Sequence, residues 1–537
     1  MSLFQSCTPA KTQADFIVVN AKVYTVNNAM ETAESFAVKD GKFVGVGKEQ
    51  DMLASFTAEK VIDLAMLPVY PGFNDGHCHF YGYGENLLRY VDLGGTKSFE
   101  EIISRLKAHQ EQYPSEWILG RGWDQNDWEN TSFPDNEAIE TAFPGKMVLL
   151  IRIDGHASLV SKALLKASGI DRNTHIDGGE ILHNAQGEPS GVLLDNADIV
   201  PKSLIPKLTE EEKMLALSLA QNKCFRAGLS SVTDAGLPFT TIDLIDRMQL
   251  TGALKMNVNA MLEAEAATLD HYLHDGPIVK ERLTVRSVKL YADGALGSRG
   301  AKLLAPYNDD QSQTGLMLYT QSYYEQHCQQ AYDAGFQVNT HAIGDSANRL
   351  VLQVYAKLLK GKNDLRWRIE HAQLIQEDDF MMFGQYNVIP SIQSTHATSD
   401  MYWAGKRVGA ERLKGAYAQK RLLDQNGWLV NGTDFPIEHI EPIYTFYAAV
   451  SRQDLSGYPD GGFQIENALS RDEALKSITI WPAKGAFEEN RKGSIEVGKN
   501  ADFVVLDKDI MVIPLSEIPS VKVRQLYILG EAVINQQ

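Results

Sequence analysis

The chain has 537 residues, 44% of them hydrophobic, with 51 basic against 69 acidic side chains and a formal charge of −18. That balance argues against a nucleic-acid partner, which needs clustered Lys and Arg, and no apolar run approaches the ~20 residues of a membrane-spanning helix. The acidity reads as a solubilising surface, and the length allows a barrel of ordinary size with an insertion and a smaller second domain.

Leu3-Phe4-Gln5-Ser6-Cys7 resembles the end of a bacterial lipoprotein signal, although the apolar stretch that should precede it is absent. If Cys7 marks a trimmed signal, the native protein is exported to the periplasmic side; otherwise a cytoplasmic location is expected. The four cysteines, Cys7, Cys78, Cys224 and Cys328, form no CxxC pair and no disulfide framework.

Both ends of the chain are β-rich. Phe16 to Val26 alternates as one strand, and Phe36 to Val46 forms a hairpin turning at Asp40-Gly41. Phe503 to Leu506 is a short apolar strand, and Val521 to Ile534 a hairpin around Gly530. Neither end alone can bury a sheet, so residues 1–69 and 482–537 are expected to build one small β-sandwich around an inserted catalytic domain, residues 70–481.

Within that central region, short apolar runs end in polar clusters and alternate with helical stretches. The runs are Leu67–Phe73, Ser230–Thr233, Lys255–Met261, Val285–Tyr291, Phe336–Thr340, Trp367–Glu370, Val388–Ile392 and Trp428–Asn431. Eight such units predict an α/β fold, a (β/α)8 TIM-like barrel whose active site forms at the C-terminal strand ends. About 150 residues separate the first two runs, far too many for one helix and loop. The stretch 110–205 is expected to be an inserted subdomain over the barrel mouth.

His77 and His79 flank Cys78 directly after the first run. Residues i and i+2 of a strand share a face, so both imidazoles can meet one ion. Alone, an HxH pair is weak evidence. His341 and His371 also close apolar runs, and four imidazoles at one barrel mouth form a first shell suited to zinc or a similar divalent ion. Asp434, in Asn431-Gly432-Thr433-Asp434-Phe435-Pro436, is either a turn aspartate or a carboxylate that binds metal and accepts a proton from metal-activated water.

The motifs PGFNDGHCH, RGWDQNDW, DGH, VKLYADGALGSRGA, HAIGDSA, RIEHAQ, the Gln393/His396 pair and NGTDFP, in this order, resemble the amidohydrolase superfamily, in its branch containing N-substituted formamide deformylase. The tail Gly493–Asp507 is similar to that superfamily's return to its small β domain. The resemblance covers nearly the whole chain. It implies metal ligation by His77, His79, His341 and His371, a catalytic and ligating Asp434, and a fourth-strand lysine, Lys289, that binuclear members carboxylate to bridge two ions. The alternative for Lys289 is an ion pair with Asp293 or Glu370. Ser161 in place of asparagine, and Asn431-Gly432-Thr433 ahead of the aspartate, depart from the family pattern without touching a ligand.

Trp123 as an apolar wall, and His156, Asp293, Gln393 and His396 as substrate contacts or ligand-orienting groups, are supporting candidates. Arg299 is a further candidate for a substrate carboxylate. The expected reaction is metal-dependent hydrolysis of a C–N bond in a small amide, N-formyl or cyclic amide, with one or two ions. The rivals are esterase, lactonase or deaminase chemistry on the same site, and a non-catalytic binding relative. Oligomeric state stays open, a homodimer included.

Overall fold

The computed structural model describes residues 11–535; Cys7 lies outside the described residues. Eight parallel strands follow one another around a nearly closed barrel: β1 (Phe73–Cys78), β2 (Leu229–Leu237), β3 (Asn257–Glu263), β4 (Leu283–Tyr291), β5 (Gln337–Ala342), β6 (Arg368–His371), β7 (Ile389–Ile392) and β8 (Val430–Asn431). Their residues are almost uniformly buried, as expected of parallel strands covered on both faces. The helix ahead of β2 starts at a sequence-encoded cap. Thr209 and Glu212 form a capping box at Glu210–Arg226, whose last turn carries Lys223 and Arg226 where cations oppose the helix dipole.

Asp75 and Gly432 close the seam between β8 and β1. The Asp75 carboxylate accepts hydrogen bonds from the Thr433 amide and hydroxyl and from the His77 amide. The Asp434 amide donates to the His77 carbonyl at 2.8 Å, and the His79 amide to the Phe435 carbonyl at 2.9 Å. A Cβ on Gly432 would stand 2.4 Å from the His77 nitrogen, so only glycine allows this approach.

Two expectations need correction. The run ending at Phe73 is not the first barrel strand. Pro68–Pro71 pairs with Phe503–Leu506 and Lys22–Tyr24 in the terminal β domain, and the barrel begins afterwards, at Phe73. A strand buried on both faces shows no alternation, so its apolar run does not reveal which sheet it joins. Phe16 to Val26 is also not one strand. It breaks at Asn20, whose φ is +51°, into Phe16–Val19 of a four-stranded sheet and Lys22–Tyr24 of a six-stranded sheet. Asparagine tolerates that left-handed turn, which lets the chain cross between sheets.

The two sheets share a core containing Phe36, Phe43, Val69, Phe503 and Tyr527, drawn from both ends of the chain. Both predicted hairpins form. Asp40-Gly41 and Leu529-Gly530 each take positive φ at both turn positions, matching the twist of the flanking strands.

Between β1 and β2 a separate six-stranded mixed sheet runs from Val91–Asp92 to Pro189–Asp195. Ile118, Trp123, Val148 and Leu150 pack on one face; Leu119, Leu149, Ile151 and Leu164 pack on the other. Among the described residues, no helix is long and apolar enough to cross a membrane.

Candidate metal centre

At the C-terminal strand ends, His77, His371 and Asp434 present one ligand atom each, all within 4.8 Å of one another and all buried. Asp434 Oδ1 lies 3.4 Å from His77 Nε2 and 3.3 Å from His79 Nε2 without hydrogen-bond geometry to either. His341 adjoins the group, its ring centroid 4.4 Å from that of His371. His396 stacks on His371 at 5.7 Å and 8°, and its Nε2 is 3.7 Å from Asp434 Oδ2.

Buried polar atoms normally find partners. Here His341 Nε2, His371 Nδ1, His396 Nε2, Asp434 Oδ1 and both amide atoms of Gln393 have none. A group of buried, convergent and idle imidazole and carboxylate donors fits a divalent cation. The backbone is strained at the same place: His371 has φ +72° and Asp434 φ +60°.

The electrostatics suit ligands. Burial lowers the pKa of His79, His341 and His371, so their imidazoles are neutral donors. Asp434 is held well below the usual carboxylate range: burial opposes ionisation, and His77 and His79 outweigh it. His77 Nδ1 contacts Glu370 Oε2 at 2.5 Å, while Glu370 Oε1 accepts from Arg368 at 2.7 Å. Glu370 thereby fixes the His77 ring and directs Nε2 toward Asp434, as outer carboxylates do for ligating histidines.

Lys289 is buried, with Nζ 3.4 Å from His77 Nε2. Among the described residues no carboxylate lies within 4.0 Å of it, so neither Asp293 nor Glu370 forms the ion pair considered above. Burial pulls its pKa down to about 8.

The supporting candidates divide. Gln393 and His396 line a small pocket, partly open to solvent, together with His371 and Gln373. His156 reaches the strand ends from the insert: its ring is 5.8 Å from that of His341, and its Nδ1 is 2.9 Å from Asp195 Oδ1. Asp293 accepts the amides of Lys302, Ile343 and Gly344, which positions the loop after His341. Trp123 is not brought into the site. Its indole donates to the Leu150 carbonyl, and its ring packs between Trp128 and Phe133 in the core of the insert. Arg299 is paired through two nitrogens with Asp309.

The sequence offered Glu370 only as a partner for Lys289, not for His77, and it did not point to Asp195 at all. Neighbours on a regular strand point to opposite faces, so Glu370 and His371 would not be expected to share one. The positive φ at His371 breaks that alternation and turns both side chains to the centre. Asp195 carried no signal. Its carboxylate wedges between Gly294 and Gly300, where a Cβ would stand 2.9 Å and 3.0 Å from its oxygens. The glycines of DGALGSRG make room for the insert.

The model of the amidohydrolase family matches residues 60–534. A putative amidohydrolase of Bacillus subtilis, YtcJ, is 29% identical over 522 residues, covering 95% of this chain and 98% of that protein. N-substituted formamide deformylase of Arthrobacter pascens is 23% identical over 542 residues, covering 96% and 97%. An uncharacterized metal-dependent hydrolase from Pyrococcus horikoshii superposes with a TM-score of 0.77 at 28% identity, covering 93% of this chain and 99% of that one.

Proposed function

The chain belongs to the amidohydrolase family, and on that premise we propose that this metal-dependent hydrolase cleaves a C–N bond other than a peptide bond in a small amide, N-formyl or cyclic amide substrate. The observation that carries the reading is the convergence of His77, His371 and Asp434 with neighbouring donor atoms left idle. Similarity to an N-substituted formamide deformylase supports the C–N class.

His77, His79, His341, His371 and Asp434 would hold one or two divalent ions, with zinc suited to so many imidazoles. When bound, the ion supplies a Lewis acid for the carbonyl and brings the acidity of water toward neutral pH. Asp434 accepts the proton of the attacking water and returns it to the leaving nitrogen. His396, with its idle Nε2 facing the same space, steadies the oxyanion of the tetrahedral intermediate. Glu370 keeps the His77 ring in its ligating orientation. Lys289 would join as a ligand in a two-ion centre as an anionic carbamate, formed when its amine adds to carbon dioxide and releases a proton. A Lys289 peptide heavier by one carbon dioxide supports that version. An unmodified amine beside a single ion overturns it.

Asp434→Asn tests the chemistry. The variant should retain its metal by elemental analysis and lose about 10²–10⁴-fold in kcat on an N-formyl amine. Unchanged kcat would remove Asp434 from the reaction. A panel of N-formyl, N-acyl, cyclic imide, ester, lactone and aminopyrimidine compounds tests the bond class; turnover confined to the last three would overturn it.

A further inference from the structure

Arg121 lies at the end of the insert strand Trp117–Trp123, where the pairing with Met147–Arg152 slips by one residue and Gly122 takes φ +104°. Such a bulge re-aims a side chain away from the regular sheet. The guanidinium has five N–H donors. Among the described residues it makes one hydrogen bond, from Nη2 to the Ile153 carbonyl at 3.3 Å, and no ion pair. Its Nε is buried and has no partner, while the residue as a whole keeps a partly exposed surface.

Asp154, an acid whose charge acts on Arg121, forms no ion pair with it. Asp154 is engaged by Arg152 at 2.5 Å and by the His156 amide at 3.0 Å. The other arginines on this side are likewise occupied: Arg152 by Asp124 and Asp154, Arg299 and Arg407 by Asp309. An idle guanidinium with a desolvated nitrogen is unfavourable unless an anion completes it.

The loop that Arg121 touches leads to the candidate metal centre. A Cβ on Gly155 would lie 3.6 Å and 3.8 Å from the two terminal nitrogens of Arg121. The next residue, His156, places its ring 5.8 Å from His341. The guanidinium therefore lies against the Ile153–Gly155 loop, which His156 continues to the strand ends.

We propose that Arg121 binds a carboxylate of the substrate, so that the enzyme acts on anionic amides whose charge sits at a distance from the scissile bond. This rests on the C–N hydrolase reading above and adds the substrate's charge and the residue that selects it.

The test uses metal-loaded wild type, Arg121→Met and Arg121→Lys with three matched pairs: N-formylglycine, N-formyl-4-aminobutyrate and N-formyl-6-aminohexanoate, each against its carboxamide. Turnover is read on these proteins, and calorimetric binding on the same proteins carrying Asp434→Asn. Wild type should favour one carboxylate over its carboxamide by about 10–100-fold in kcat/KM, the range for hydrogen bonds to a charged group. Arg121→Met should abolish the preference by losing the carboxylate alone, and Arg121→Lys should keep part of it. A preference that survives in Arg121→Met overturns the proposal. So does the absence of any preference in wild type, which requires no variant to fold. Turnover without preference leaves the C–N reading standing and removes Arg121. Arg121-dependent binding with no turnover of any pair does the reverse.

Discussion

Barrel and insert treat buried charge in opposite ways. At the barrel strand ends, His341, His371 and Asp434 leave polar atoms unpaired beside one another. In the insert, Arg152 is closed by Asp124 and Asp154, and Asp195 is closed by His156. Unpaired burial is costly and persists where a ligand completes the site. Paired burial holds one surface against another. The proposed division of labour is chemistry in the barrel, and docking and selection in the insert, with Arg121 as the exception that matches the barrel's pattern.

The comparison breaks first at a ligand. His371→Ala should reduce metal per chain to background and abolish turnover, a larger effect than any substitution in the insert; elemental analysis and single-turnover kinetics read both. Retained metal with retained turnover would remove His371 from the centre. Glu370→Gln should weaken metal affinity by about 10–100-fold, the usual cost of a lost ligand-orienting carboxylate, as measured by chelator competition. No change there would mean that Arg368 and the strand hold His77 unaided.

In the insert, Asp195→Asn should raise KM about tenfold and leave metal content unchanged, because a displaced lid misplaces substrate without altering the ligands. Loss of metal in this variant would erase the division of labour. The smallest effect is expected far from both regions. Asp509 accepts hydrogen bonds from Lys22, Tyr24 and Tyr70, joining the two ends of the chain. Asp509→Asn should cost about 2 kcal/mol, read by denaturant unfolding. Burial opposes its ionisation, and the three donors outweigh that, lowering its pKa below 3.8. Its contribution is therefore full above pH 3.8 and lost as pH falls through the lowered value. A wild-type-minus-variant difference that grows in acid would contradict this.

The barrel's candidate site was legible because its proposed ligands close apolar runs, and a histidine or aspartate at a parallel-strand end is visible in one dimension. His77, His341, His371 and Asp434 were proposed that way, and family resemblance added Lys289; the structure brings His77, His371 and Asp434 together. What the insert does was not legible. Trp123 reads as a pocket wall because tryptophans line pockets, yet its indole is satisfied by the Leu150 carbonyl inside the insert. Asp195 and Arg121 act through contacts with Gly294, Gly300, Gly155 and Ile153, which no local pattern predicts. The contact of Glu370 with His77 was not legible, since strand alternation fails at His371, where φ is positive.

Metal reconstitution tests the central claim most directly. Chelated protein is titrated with zinc while N-formyl amine turnover and bound metal are recorded together. Turnover should be absent in the stripped protein and rise in proportion to occupancy until the His77, His371 and Asp434 centre is filled. Undiminished turnover in the stripped protein, or zinc bound stoichiometrically by a chain lacking His77 and His371, would contradict the account.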